Sequence, residues 1–269
     1  MHAAAPSVSV ITGASSGIGA AMAAALAQPG QRLGLVGRDP ERLAKVASVC
    51  RRQGAECTVA HLDVRQPTVS TFLQSFDRRH PIDLLVLNAG ILDGRRDGEV
   101  IEDGPTARSV LEVNLLAPIA NLHAMLPAMR ERRRGTIVLV ASLAAFVPLA
   151  DAPAYSASKA ALVSYGLAVR EALGNEGINV VVACPGFVAT PMSKVHIGDR
   201  PGEVSAESAA QAILDGVRRN RALVGFPVAA HWLSRLALFV PERFRYHRMS
   251  KTKFHVAPPL PIRPPHDAP

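Results

Sequence analysis

The chain has 269 residues, 48% of them hydrophobic, enough to bury a domain-sized core. Its formal net charge of +8 admits an acidic partner such as nucleic acid, anionic lipid or a phosphorylated ligand, but few aromatics and no basic-aromatic motif speak against a nucleic-acid stacking platform. Cys50, Cys57 and Cys184 lack any CxxC spacing, which excludes a disulfide framework and a zinc site and suits a reducing, cytoplasmic setting, with Cys57 and Cys184 expected as buried thiols.

In chain order, residues 8–11 form a short apolar strand and 17–27 an alanine-rich helix stopped by Pro29 and Gly30. Residues 33–36 make the next strand. Asp39 then caps a helix with Pro40 in its first turn. Strands are expected at 57–61 and 83–87, and a long helix at 107–131. A strand at 136–140, a helix at 154–173 and a strand at 178–183 follow, with a seventh strand at 221–226. The strands are nearly continuous apolar runs, as a parallel sheet covered on both faces requires. Repeated strand–helix alternation predicts an α/β fold, a doubly wound parallel sheet of about seven strands in one domain over residues 1–226. The loops at 90–104 and 190–206 then emerge on the edge where such sheets bind ligands. No leader peptide and no apolar run able to span a bilayer are expected.

Residues 227–254 depart from this pattern. A short amphipathic helix at 231–239 carries Trp232, Leu233, Leu236 and Phe239 or Val240 on one side, and Pro241 ends it. Basic residues crowd 243–253, as they do 130–134, and a solvated face explains both runs. The C-terminal segment suits an anionic membrane surface, a subunit interface or a cover over a pocket. Residues 255–269 are proline-rich and expected to be disordered, with a Pro258–Arg263 stretch of polyproline-ligand spacing.

The glycine run Thr12-Gly-Ala-Ser-Ser-Gly-Ile-Gly19 joins the first strand to the first helix. Gly13, Gly17 and Gly19 permit a tight turn, so that Ser15, Ser16 and Ile18 can bring backbone N–H groups to a pyrophosphate. At the end of the second strand Gly37 stands where dinucleotide folds often place an acidic residue for a ribose hydroxyl, and Arg38 follows. A guanidinium pairs with a 2′-phosphate, so NADP(H) is expected over NAD(H). Asp39 is the counter-argument, answered by its capping duty. Tyr155 and Lys159, four apart on a helix, share one face, and a cation beside a phenol favours its ionised form.

Together these residues resemble the short-chain dehydrogenase/reductase family, of the single-domain, Rossmann-like type. The resemblance runs over residues 7–190 and adds Asp63, Leu87-Asn-Ala-Gly90, Asn114, Ser142 and Pro185-Gly-Phe-Val-Ala-Thr190 in the expected order. It implies an oxidoreductase that interconverts a carbonyl and an alcohol by hydride transfer. Tyr155 would act as general acid or base, Lys159 would lower its pKa and hold the nicotinamide ribose, and Ser142 would hold the substrate oxygen. Asn114 would anchor a water linking Lys159 to solvent. Asp63 and Val64 would meet the adenine, Asn88, Ala89 and Gly90 its ribose, and Pro185, Gly186, Val188 and Thr190 the nicotinamide side. Asp63 as a cap for the next helix and Asn88 as a strand brace are the structural alternatives. Leu87 departs from the family's asparagine, which would loosen the brace between strands. Leu143, Phe146, Leu149, Phe187 and Met192, with Ser142, are the candidate substrate lining, an apolar set suited to a lipophilic ketone, aldehyde or secondary alcohol. Core packing accounts for the same residues. A homodimer or homotetramer through the helices at 114–131 and 155–173 is implied by the resemblance alone. A cofactor-binding regulator without turnover is the competing class, although it would be expected to have lost Tyr155, Lys159 or Ser142.

Overall fold

The computed structural model describes residues 6–197, 199–240 and 255–256. Seven parallel strands form the central sheet: β1 (Val8–Thr12), β2 (Arg32–Gly37), β3 (Glu56–His61), β4 (Leu84–Leu87), β5 (Gly135–Val140), β6 (Ile178–Pro185) and, counting three intervening short strands, β10 (Leu223–Phe226). Their spatial order is β3-β2-β1-β4-β5-β6-β10. Between β1 and β4 the winding reverses, and that switch point opens a crevice at the carboxyl ends of the strands. Apolar side chains alternate between the two sheet faces, so Val10 joins one core cluster and Ile11 the other.

One face is covered by α1 (Gly17–Leu26), α2 (Pro40–Arg52) and α7 (Ala206–Arg218). The other is covered by α3 (Pro67–Arg79), α5 (Ala117–Glu131) and α6 (Pro153–Ala172). The expected cap of α2 is present: the Asp39 carboxylate accepts from Arg42 N at 2.9 Å, with Pro40 in the first turn. The central strands are buried as their apolar runs predict. β3 is not, because it is an outer strand, and among its residues Ala60 alone is fully enclosed. Cys57 on this strand is accordingly half-buried, while Cys50 and Cys184 are buried.

The long helix begins earlier than expected and is not uniform. α4 (Gly104–Leu111), capped by Asp103, passes through a π-turn at Glu112–Leu116 into α5. By length and composition the whole run 104–131 could cross a membrane, contrary to the sequence expectation. It is nonetheless a core helix, burying Asn114, Asn121, Leu122, Met125 and Met129.

The arginines at 130–134 are not a free solvated face. Arg130 pairs with Glu176, Arg134 with Asp83, and Arg132 grips both Asp77 oxygens at 2.9 Å. Arg133 donates to the Asn175 carbonyl. These contacts fasten the end of α5 to its neighbours and consume most of that charge.

Beyond β6 the chain forms short strands β7 (Val188–Ala189), β8 (His196–Ile197) and β9 (Val204–Ser205), then α7, β10 and α8 (Val228–Leu236). α8 starts three residues earlier than predicted, and a 3-10 turn extends it to Phe239. β11 (His255–Val256) pairs with β8, inside the stretch expected to be disordered. The basic run at 241–254 and the polyproline-like stretch lie outside the described residues.

Candidate active site

The glycine turn leaves the carboxyl end of β1 at the switch point. Gly13 and Gly17 have φ of 66° and 56°, a region that side chains disfavour. A Cβ on Gly19 would lie 2.3 Å from the Gly13 carbonyl oxygen, so only glycine lets helix and turn pack this closely. Ser16 occupies the N-cap of α1 without making a side-chain cap. The first N–H groups of the helix are thus left for an anionic ligand. Ser15 lies across from Gly37, whose absent Cβ would approach Ser15 Oγ to 3.4 Å. Ile18 packs on the core and steadies the turn from beneath.

Asn88 braces this turn, donating to the Thr12 carbonyl at 3.0 Å and the Gly13 carbonyl at 3.2 Å. The structural alternative for Asn88 is therefore realised. Thr12, missed in the sequence reading, is the counterpart: its hydroxyl donates to Val86 O and accepts from the Asn88 and Ala89 amides. This pair supplies polar bracing where Leu87 cannot, and the Leu87 side chain is buried. A threonine beside a glycine-rich turn was the available signal.

Arg38 is exposed at the end of β2, near the Asp63 carboxylate after β3. Asp63 does not cap α3, whose N-cap is Gln66. It pairs instead with Arg65, Nη2 to Oδ2 at 2.7 Å. Burial opposes its charge, but Arg65, with Arg38 behind it, outweighs burial and holds the carboxyl below its ordinary pKa. Asp39 is likewise held low by the Arg42 amide and guanidinium. Val64 packs with Val113, Ala117 and Ala89, and Asn121, another residue the sequence did not flag, donates to the Val64 carbonyl at 3.4 Å.

The catalytic candidates converge beside β5. Tyr155 and Lys159 project from the buried face of α6, and Ser142 follows the end of β5. The Ser142 hydroxyl donates to Pro185 O at 3.4 Å and accepts from Ala144 N at 3.1 Å. Lys159 Nζ donates to Val140 O at 3.0 Å and lies 5.7 Å from the Tyr155 ring centre. Without a paired carboxylate, burial lowers the Lys159 pKa to about 8. Burial raises that of Tyr155, and hydrogen bonding with Ser142 only partly opposes it. Burial therefore governs the Tyr155 pKa, against the expectation that Lys159 depresses it. The ammonium faces the ring and the Val140 carbonyl, and its own charge is already disfavoured. Beneath it, burial pushes the Cys184 thiol up to about 12 despite Lys159, leaving a neutral neighbour.

Asn114 sits in the π-turn, fully buried. Its amide oxygen accepts from Ile91 N at 2.8 Å, and its nitrogen donates to Ile91 O at 2.9 Å and Ser158 Oγ at 3.3 Å. It thereby ties the loop after β4 to α6. Such turns recur at functional sites because they re-aim one side chain without ending the helix. A Cβ on Gly90 would lie 3.2 Å from Asn114 Oδ1, 3.5 Å from Lys159 Nζ and 3.8 Å from Met192 Cε. Gly90 thus keeps open the space these groups border. Thr190 touches Gly17, and Val188 is buried against the α1 side of the core. Gly186 is held by the Phe226 carbonyl at 2.7 Å, just after Pro185. The glycine turn and the 185–190 segment thus border one cleft, and its uncapped N–H groups and glycine-lined spaces fit a dinucleotide.

A third unanticipated group is Glu102. It is buried, and Oε1 accepts from Ala154 N at 2.6 Å, capping α6 from a loop 52 residues away. Arg95 of the same loop pairs with Asp151 and donates its amide to the Asp151 carbonyl. The loop 91–103 is thus clasped to the start of the helix that carries Tyr155.

The proposed substrate lining divides. Leu149 packs in the cluster containing Tyr155 and Ala152. Met192 reaches toward Gly90 and is partly exposed. Leu143 belongs to the core, and Phe146 packs against it and edge-on to His231 of α8, at 5.8 Å between ring centres. Phe187 is half-buried, with its carbonyl bonded to Val204 N.

Comparison with known proteins agrees with this geometry. The family model for short chain dehydrogenases matches residues 7–200. The ketoacyl reductase HetN of Nostoc sp. is 33% identical over 78% of this chain and 75% of its own length. The 1-deoxy-11-beta-hydroxypentalenate dehydrogenase of Streptomyces exfoliatus is 34% identical over 79% and 80%. Among solved structures, a bulky-bulky ketone specific alcohol dehydrogenase from Comamonas testosteroni superposes with a TM-score of 0.73 at 25% identity, covering 91% of this chain and 94% of that one. L-Sorbose reductase from Gluconobacter frateurii, complexed with NADPH and L-sorbose, gives a TM-score of 0.71 at 26% identity, over 81% and 94%. The chain belongs to the short chain dehydrogenase family of oxidoreductases.

Proposed function

We propose that this protein is an NADP(H)-dependent oxidoreductase that interconverts a lipophilic carbonyl compound and its alcohol. The carrying observation is the convergence of Ser142, Tyr155 and Lys159 beside a glycine turn whose helix N-terminus is uncapped. In this reading the turn 13–19 takes the pyrophosphate, Asp63, Val64 and residues 88–90 the adenosine, and Lys159, Pro185, Gly186, Val188 and Thr190 the nicotinamide side. The bound cofactor supplies the hydride. Tyr155 supplies the proton to the carbonyl oxygen, and Ser142 orients that oxygen. Tyr155 is protonated at neutral pH, the state a proton donor needs. Lys159 holds the ribose hydroxyls, and Asn114 keeps α6 and the 91–103 loop in register.

Arg38, with Gly37 leaving room beside Ser15, supports a 2′-phosphate. The nearby carboxylates are each matched by an arginine, Asp39 by Arg42 and Asp63 by Arg65. The apolar borders at Leu149 and Met192, and the relative that acts on bulky ketones, support a lipophilic substrate. An assembly of like subunits through α5 and α6 fits the groove of about 500 Å³ between them, lined by His123, Leu126 and Leu173 among others. The unpaired thiols support a cytoplasmic location. The test is NADPH and NADH consumption over a panel of ketones and aldehydes. Turnover with NADPH and a bulky apolar ketone is expected. Tight NADPH binding without turnover of any carbonyl would instead mark a regulator, and an NADH preference would overturn the cofactor assignment.

A further inference from the structure

α8 is turned inside out. Its polar His231 faces inward, 7% exposed, against Phe146 and Gly225, where a Cβ would lie 2.1 Å from His231 Nδ1. Its apolar residues face outward: Val228, Trp232, Leu233 and Leu236 are 57–67% exposed, and Phe239 beyond them 84%. Spacings of 228, 232, 236 and 239–240 put them along one helical stripe. A contiguous exposed stripe of this kind marks a binding surface, whereas scattered single residues would not.

We propose that this stripe docks the enzyme onto an anionic lipid bilayer. Charge complementarity selects that occupant. Arg235 lies on the same helix with its guanidinium 5.6 Å from the Trp232 ring centre. The fourteen residues that follow Val240 carry five arginines and lysines against one glutamate. Apolar residues with a tryptophan, followed in sequence by a basic run, match the headgroup boundary, where rings and methyls enter the acyl region and cations meet acidic lipids. A second copy carries the same formal net charge of +8, so charge favours an acidic surface over another copy of this chain. In the other arginine cluster of the chain, 130–134, three of the four arginines are paired with Asp77, Asp83 and Glu176, so it keeps less net charge than the run after Val240. Docking through α8 brings the Phe146 side of the cleft toward the membrane, because His231 on the inner side of the same helix packs on that ring.

Trp232 is the chain's one tryptophan, so its emission reports this helix alone. The full chain is titrated with phosphatidylcholine vesicles, with and without one-third phosphatidylglycerol, in low salt and in molar salt. Expected are a blue shift and quenching by brominated acyl chains with the acidic vesicles in low salt, both lost in molar salt. Charge reversal at Arg243, Arg245 and Arg248 should weaken vesicle binding by about tenfold or more. In co-sedimentation, Trp232→Ser with Leu236→Ser should abolish vesicle binding while the thermal melt stays unchanged. Three results would overturn the proposal. Emission already blue and insensitive to vesicles means that the chain covers its own stripe. A shift that grows with protein concentration without lipid means that a second copy does. Equal binding to neutral vesicles in molar salt removes the role of charge. The spectral titration needs no variant and no turnover, so its outcome is independent of the reaction proposed above.

Discussion

α6 and α8 both border the cleft, and both break the rule that apolar groups face in and polar groups out, in opposite senses. α6 turns Tyr155, Ser158 and Lys159 inward, and each has a hydrogen-bond partner there: Ser142 for the phenol, Tyr155 O for Ser158, and Val140 O for the ammonium. α8 turns Trp232, Leu233 and Leu236 outward and leaves His231 Nδ1 buried with no partner among the described residues. Desolvating ionisable groups such as Tyr155 and Lys159 costs stability even where hydrogen bonds are made, and an exposed apolar stripe adds none, so each points to a task other than folding. α6 carries the signature of a reaction, and α8 that of a surface.

The largest expected effect breaks the α6 side alone. Tyr155→Phe should lower kcat by about 10²–10⁴-fold, as loss of a general acid does, with NADPH affinity by calorimetry nearly intact. Arg38→Asp comes next. Losing a charge-assisted contact should shift the ratio of kcat/KM for NADPH over NADH by about 10–100-fold toward NADH. Glu102→Ala should lower unfolding free energy in urea by about 1–3 kcal/mol, because it strands a buried Ala154 N–H. It should also reduce kcat more than Glu102→Gln, which can still accept that bond. None of these three should alter vesicle binding, which keeps the two helices separable.

The smallest effect concerns pH. Below pH 8 Lys159 is protonated in both states, and the penalty of its buried charge is fully present. Between about pH 8 and 10.5 the unfolded chain holds a proton that the folded chain has released, so this group adds stability as pH rises. Ligand-free Lys159→Met should lack that rise. Urea unfolding curves collected across this range for both proteins should show the wild type gaining on the variant.

How far the sequence disclosed this molecule depended on whether partners were close along the chain. The glycine turn, the Asp39 cap and the Tyr155–Lys159 pair are local, and spacing alone located them. Glu102 was invisible because its partner lies 52 residues away and no motif announces it. The 130–134 arginines read as a solvated run because their acidic partners, Asp77, Asp83 and Glu176, are brought in by the tertiary fold. For α8, periodicity showed that Trp232, Leu233 and Leu236 share a side. It could not show which side faces the protein, since both orientations give the same pattern. Tyr155 was placed correctly, yet its raised pKa was not foreseen, because a cation's proximity is legible in sequence and the direction of its Nζ is not.

The π-turn at 112–116 can be read as a helix holding one residue more than it needs. Deleting a residue there would leave a continuous α-helix with α4 and α5 near their present phase, because the wide turn absorbs the extra residue, but it would re-aim the buried Asn114 held in that turn. The loop after β4 would lose its Asn114 tie to α6, while the apolar face of α5 kept its place in the core. The same deletion in a straight segment would misalign the core. A shortened homologue could therefore fold and remain inactive, and length alone in this stretch becomes a marker that separates working enzymes from silent copies.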